Sequence, residues 1–326
     1  MKKIKGRGIL VMCLLLFGGY ALYDYMAQKK SDERKVADAK LFTMNVDQID
    51  FIELKKSEQV VTLKRSVEGW NLEQPLKDLG DDSAAEDLIK MTSSEKVQDI
   101  AADGGNIDWT VYGLDQPYGS VTFANTAGEK TTLYVSSKSN FENFPFARRD
   151  NDNRVLVVNT NWTARLDKPV VEFRDRRFLR HKMGSIENFR LKNINGVLDI
   201  ANKDGKWVAV GSSNVELDQQ KVRETFRNIA DAKGADYVEG ALPSLKPLFT
   251  LDLKLGDKKW QAQVGQAATG KIYAAVSDPK LQMMMEPGAL DNLIELKIED
   301  LKVGATPKQD NKEQNGAQLA QEKDSK

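Results

Sequence analysis

The chain repeats itself at a fixed spacing. Ile49, Leu54, Lys55, Val60, Trp70 and Asp81 recur 137 positions later as Ile186, Leu191, Lys192, Val197, Trp207 and Asp218. Conservative pairs lie between them: Asp50 with Glu187, Ile52 with Phe189, and Leu63 with Ile200. Only five tryptophans occur in 326 residues, so two of them in register within this set mark a duplication. A period of this size is a domain and not a solenoid turn. Each copy is long enough to bury a core of its own.

The local pattern is the same in both copies. Ile49 to Lys55, Val60 to Arg65 and Trp70 to Glu73 are short runs rich in β-branched and aromatic residues, parted by Lys56-Ser57-Glu58 and Glu68-Gly69. That pattern predicts an antiparallel meander, which Pro75 ends. Ala85, Leu88, Ile89 and Thr92 then follow helical spacing, with Ser83 and Glu86 placed as a capping box. In the second copy Phe189 to Lys192, Val197 to Ala201 and Trp207 to Val210 predict strands, and Asn195-Gly196 and Asp204-Gly205 the turns. Asp218 caps a helix whose apolar face is Val222, Phe226 and Ile229.

Further strand runs complete each unit. They lie around Phe123, Val135, Ala147 and Val157 in the first copy, and around Leu253, Val264, Ala274 and Met283 in the second. Pro117 corresponds to Pro247, and Val171-Glu172 to Ile298-Glu299. Many strands with few helices predict an α+β fold, built as two tandem copies of a β-rich module after an N-terminal membrane helix.

That helix is expected from Lys2, Lys3, Lys5 and Arg7, followed by an apolar run from Gly8 to Tyr23. This is the pattern of an export signal or signal anchor. Gly19-Tyr20-Ala21 offers a small-x-small cleavage site, so cleavage after Ala21 competes with an uncleaved anchor. Lys29, Lys30, Arg34, Lys35 and Lys40 flank the other side, and positive charge alone does not orient the segment. The basic n-region favours a cytoplasmic N-terminus. Cys13, the single cysteine, lacks the small preceding residue of a lipoprotein site. At the other end, residues 305–326 are too polar to offset their ordering entropy and are expected to be disordered. The expected organisation is a cytoplasmic n-region (1–7), anchor (8–26), linker (27–41), first module (42–177), basic joint (178–185), second module (186–303) and tail (304–326).

Little in the chain points to catalysis. Lys plus Arg and Asp plus Glu both number 48, which leaves no net field to attract nucleic acid. His181 is the single histidine and lies in the basic stretch Arg174 to Lys182, away from any nucleophile signature. One histidine and one cysteine do not make a zinc site. No P-loop or dinucleotide fingerprint occurs. We therefore expect no enzyme activity, no catalytic, metal or cofactor-binding residues, and no cofactor. The Arg174 to Lys182 stretch reads as a connector whose arginines pair with nearby acids, against contact with anionic headgroups. Met283-Met284-Met285 reads as core against an adaptable binding surface.

The order of elements resembles domain-of-unknown-function family 4340. The resemblance rests on Ile49-x-x-Ile52-x-Leu54-Lys55, Trp70-x-Leu72, the helix from Asp81, Tyr112-Gly113-Leu114 with Pro117, and Phe173-Arg174-Asp175. It spans about residues 40–300. A glycine expected after Val135 is Ser136 here, while Gly265 stands at the matching place of the second copy. The resemblance implies a single-anchor bacterial inner-membrane protein with its body in the periplasm. It further implies an accessory or scaffold part of an ABC-type transport complex, with transporter subunits as partners. A glycan- or lipid-binding envelope module is the alternative.

Overall fold

The computed structural model describes residues 40–42, 44–150, 152–211 and 215–305, with Met26 besides. The expected anchor and tail thus lie outside the described residues, save for Met26 and residues 304–305. Among the described residues no helix is long and apolar enough to cross a membrane. The chain divides into two compact units between Asp175 and Arg176.

The first unit carries β1 (Ile49–Lys56), β2 (Gln59–Ser66), β3 (Gly69–Gln74), β4 (Asp78–Leu79), helix α1 (Asp82–Ser94), β5 (Asp99–Asp103), β6 (Gly119–Asn125), β7 (Lys130–Ser139), β8 (Pro145–Arg149), β9 (Arg154–Val157) and α2 (Asn161–Leu166). Its antiparallel sheet runs β4-β3-β2-β1-β6-β7-β8-β9-β5. The second unit carries β10 (Ile186–Asn193), β11 (Gly196–Lys203), β12 (Lys206–Ala209), α3 (Gln219–Asp231), β13 (Gly234–Tyr237), β14 (Leu245–Leu255), β15 (Lys258–Ala267), β16 (Ile272–Ser277), β17 (Lys280–Met285) and α4 (Asp291–Ile294). Its sheet runs β12-β11-β10-β14-β15-β16-β17-β13, the same order without a counterpart of β4. The protein is β-rich α+β, with two antiparallel sheets.

Register ties the two sheets together residue by residue. Ile52 lies between Leu63 and Phe123, and Phe189 lies between Ile200 and Leu253. The ladder slips at one residue in each first strand, Asp50 in one and Glu187 in the other. Alternation puts Ile52, Leu54, Val61, Leu63, Phe123 and Leu133 on one face, where they share a core with Ala85, Leu88 and Ile89 of α1 and with Trp162 and Leu166 of α2. Burying each large aliphatic side chain contributes about 1.5–3 kcal/mol.

Both central helices start at an aspartate. Asp81 accepts from the Ala84 N–H at 2.9 Å, and Asp218 from the Gln220 and Lys221 N–H groups. Ser83 lies inside the first turn of α1, so the expected Ser83–Glu86 box is corrected to an Asp81 cap.

The segment ahead of each first strand is also duplicated. Lys40 bridges Lys96 as Arg177 bridges Lys233. The Leu41 N–H donates to the Glu95 carbonyl at 3.3 Å, and the Phe178 N–H donates to Ala232 at 2.8 Å. Leu41 and Phe42 are buried in the first core, Phe178 and Leu179 in the second. Residues 178–185, read from the sequence as a joint, therefore hold the first core residues of the second unit, and Leu41, read as linker, belongs to the first. At the far end, Asp81 N–H donates to the Phe173 carbonyl and Asp218 N–H to Leu301. This equates Phe173 with Leu301 and moves the expected pairing of Val171-Glu172 by one residue, onto Glu299-Asp300.

Candidate functional site

Most residues singled out by the sequence go into the cores. Trp70 and Trp207 hold one place in the register, opposite Arg65 and Asn202, and both are buried. Met283 and Met285 are buried in the second core, while Met284 is half-buried on the opposite face. Arginines of the basic stretch find partners within their own units. Arg174 pairs with Asp78, Arg176 with Glu286 at 3.1 Å, and Arg180 donates to Tyr237 Oη at 2.6 Å. His181 Nε2 lies 3.3 Å from an Asp278 carboxylate oxygen and 3.2 Å from its carbonyl. Cys13 lies outside the described residues.

An open cleft of about 670 Å³ lies beside α1 in the first unit. Its polar lining includes Asp47, Arg65, Asp82, Ser83, Glu86 and Asp87. Two of these acids already have structural duties. Asp82 accepts the Trp70 main-chain N–H at 2.7 Å, and Glu86 accepts the Trp70 indole N–H at 3.1 Å. Arg65 pairs with Glu86 at 2.6 Å and stacks on the Trp70 ring. These contacts fasten β3 to α1. Among the described residues no group of three or more His, Cys, Asp or Glu is arranged to hold a metal ion.

Three further clusters join residues far apart in sequence. Asp167 accepts from both Lys56 Nζ and Tyr118 Oη, and Lys56 stands over the Tyr118 ring. Those two hydrogen bonds hold the Asp167 carboxyl below its ordinary value, and Lys56 is held above its own. The group is exposed, so it is a surface ion pair. Arg165 is buried, pairs with Glu95 and lies over the Trp162 ring. Its Nε and Nη1, and Glu95 Oε2, are buried without a hydrogen-bond partner among the described residues.

The third cluster is aromatic. The loop between β5 and β6 is longer than that between β13 and β14, and it lays Trp109 and Tyr112 over the outer face of β7 and β8. Arg148 stacks against Trp109 and Tyr134, and Tyr112 meets Phe146 edge to face at 5.1 Å. Ser136, at the place where glycine was expected, explains that departure. Its hydroxyl donates to the Tyr112 carbonyl at 2.6 Å and pins the loop. Gly113 has φ +65°, and a Cβ there would lie 2.7 Å from Ser136 Oγ. No periodicity announced these clusters. A basic residue near an aromatic one carries no signal until the fold sets them side by side.

The profile of a family described as "Domain of unknown function (DUF4340)" matches residues 81–252. This is just over half of the chain. The protein belongs to DUF4340. No curated protein and no solved structure matches the chain. The DUF4340 match starts at the cap of α1 and stops inside β14, so it takes in parts of both units. Tyr112-Gly113-Leu114 and Phe173-Arg174-Asp175 fall within it, whereas the Ile49 to Lys55 strand and Trp70 precede it.

Proposed function

We propose that this DUF4340 protein is a non-catalytic scaffold of the bacterial envelope. It is held in the inner membrane by residues 8–26, with its body in the periplasm, and serves as an accessory part of an ABC-type transport complex. The observation that carries this reading is the kind of residue the duplication repeats. Ile49/Ile186, Leu54/Leu191 and Trp70/Trp207 are core residues, and Asp81/Asp218 are helix caps. Most of what both copies retain serves folding, the exposed Lys55/Lys192 pair apart, and the acids, arginines and aromatic rings gathered in the first unit's clusters are not repeated as a set. A duplicated β-rich body with no shared reactive set suits protein contact better than turnover.

Purification from native membranes tests the proposal. Co-isolation of an ABC ATPase or permease subunit is expected. A monomer that brings down no protein but retains lipid or sugar would replace the scaffold with the second reading, a glycan- or lipid-binding module. The Trp109, Tyr112, Tyr134 and Phe146 cluster around Arg148 favours that reading, since partly exposed rings suit sugar faces and acyl chains. Extraction with alkaline carbonate and sequencing of the mature N-terminus test the tether. A soluble product starting at Leu22 would mean that the segment is a cleaved signal.

A further inference from the structure

The chain enters the first unit at Lys40 and Leu41, and one side chain from a distant hairpin grips it there. Arg149, at the end of β8, donates through Nη1 to the carbonyls of Lys40 at 3.2 Å and Leu41 at 3.3 Å. The rest of that guanidinium is fixed. Its Nε and Nη2 donate to Asp152 Oδ2 at 3.0 and 2.5 Å. Asp152 is held in turn by Arg154, whose Nε and Nη2 donate at 2.8 and 3.0 Å. All three side chains are largely buried, at 13%, 11% and 19% exposure, so water screens these charge-assisted bonds poorly.

The second unit provides an internal control. Its lead-in has the same bridge and the same main-chain hydrogen bond to the end of the central helix. Leu133 faces Arg149 across β7 and β8, and Ala262 faces Val276 across β15 and β16, so Arg149 corresponds to Val276. The fold therefore does not need the triad to seat a lead-in segment. Only the unit that receives the chain from residues 1–39 has it.

We propose that Arg149, Asp152 and Arg154 form a force-bearing clamp on the chain at Lys40 and Leu41. Load arriving through the preceding residues is passed to the β8–β9 hairpin and does not peel Leu41 and Phe42 out of the core. The clamp's purpose rests on the reading of residues 8–26 as a tether, whereas its grip does not.

Hydrogen exchange on the full chain tests the grip. Arg149→Ala and Asp152→Asn are each expected to speed exchange of the Leu41 amide and tryptic cleavage after Lys40 by about tenfold or more, with the β2 amides unchanged. Should Arg149→Ala fail to fold, Arg149→Lys keeps the charge with one nitrogen to share among three acceptors, and the same direction is expected. Unchanged Leu41 exchange in the folded variants would overturn the clamp. Pulling single molecules through handles at residue 31 and the C-terminus tests the load. The first rupture is expected at lower force in Arg149→Lys than in the wild-type chain, and equal forces would overturn the mechanical role. A carbonate-soluble protein with an intact exchange result would sink the tether alone.

Discussion

The Gln219 side chain occupies both main-chain polar groups of Trp207, its Oε1 accepting from the N–H at 2.8 Å and its Nε2 donating to the carbonyl at 3.0 Å. One amide thus acts as a strand neighbour for the outer edge of β12. The first unit divides the same task. Asp82 accepts the Trp70 N–H at 2.7 Å, and the Gly80 N–H donates to the Trp70 carbonyl at 2.8 Å. Gln219→Ala leaves both groups of Trp207 short of a partner and is expected to cost about 1–3 kcal/mol. Gln219→Asp restores the acceptor alone and should recover part of that loss. Urea midpoints of the two variants give the comparison, and equal midpoints would refute the two-handed role.

The buried Arg165–Glu95 pair has an apolar answer in the other copy. The spacing of 128 that equates Phe173 with Leu301 also sets Trp162 on Leu290 and Arg165 on Leu293, all four buried, while Glu95 falls on Ala232. Removing one member leaves a charge in a dry place, so Glu95→Ala is expected to cost about 3–5 kcal/mol. Adding Arg165→Leu to it imports the second unit's solution. That double variant should be neutral to more stable than wild type by about 1–4 kcal/mol. A double variant as unstable as Glu95→Ala alone would show that the pair is indispensable to the first unit.

Trp70 and Trp207 are matched in register and differ in their surroundings. Trp70 is packed under Arg65 and donates its indole N–H to Glu86, and Trp207 meets Phe226 edge to face at 4.7 Å. Truncation of either to alanine is expected to destabilise its own unit by about 3–5 kcal/mol. Trp70→Phe keeps most of the packing and leaves the half-exposed Glu86 paired with Arg65, losing only the indole hydrogen bond, and we expect an intermediate loss of about 1 kcal/mol. Denaturation followed through the remaining tryptophans measures both. A Trp70→Phe variant as stable as wild type would show that the indole hydrogen bond contributes nothing.

The strands that alternate, and the helices with a three-four apolar spacing, were legible because two copies spelled the same pattern. Ile52, Leu54 and Leu63 went where alternation placed them. The misreadings have physical causes. Asp81, Asp82 and Ser83 are all capping types in a row, and which one caps was decided by the tertiary fold: Asp82 turns away to the Trp70 N–H, leaving Asp81 to hold Ala84. β5 reads Asp-Ile-Ala-Ala-Asp, a polar edge strand with no periodic signal. Leu41 looked like linker because one apolar residue ahead of the first module is too little to show a period. The Lys56–Asp167 and Arg149–Leu41 contacts join residues more than a hundred positions apart, which no local pattern encodes.

Asp152 gives the first unit a defined acid sensitivity. Burial alone would raise its carboxyl, but the hydrogen bonds from Arg154 and Arg149 outweigh that and hold it below the ordinary aspartate value. A folded-state value depressed below the unfolded one binds its proton less readily when folded. Its contribution to stability is therefore complete above the unfolded value, near ~3.9, and is lost as pH falls through the lower folded one. Wild type is thus expected to exceed Asp152→Asn in urea midpoint at pH 6, with the gap narrowing once pH drops below about 4. Tryptic cleavage after Lys40 cannot be followed at that pH, so exchange of the Leu41 amide is the local readout, corrected for the intrinsic pH dependence of exchange. Its protection should fall over the same interval in wild type and stay flat in Asp152→Asn. A midpoint gap constant from pH 6 to pH 3 would mean that Asp152 acts through packing and not through its charge.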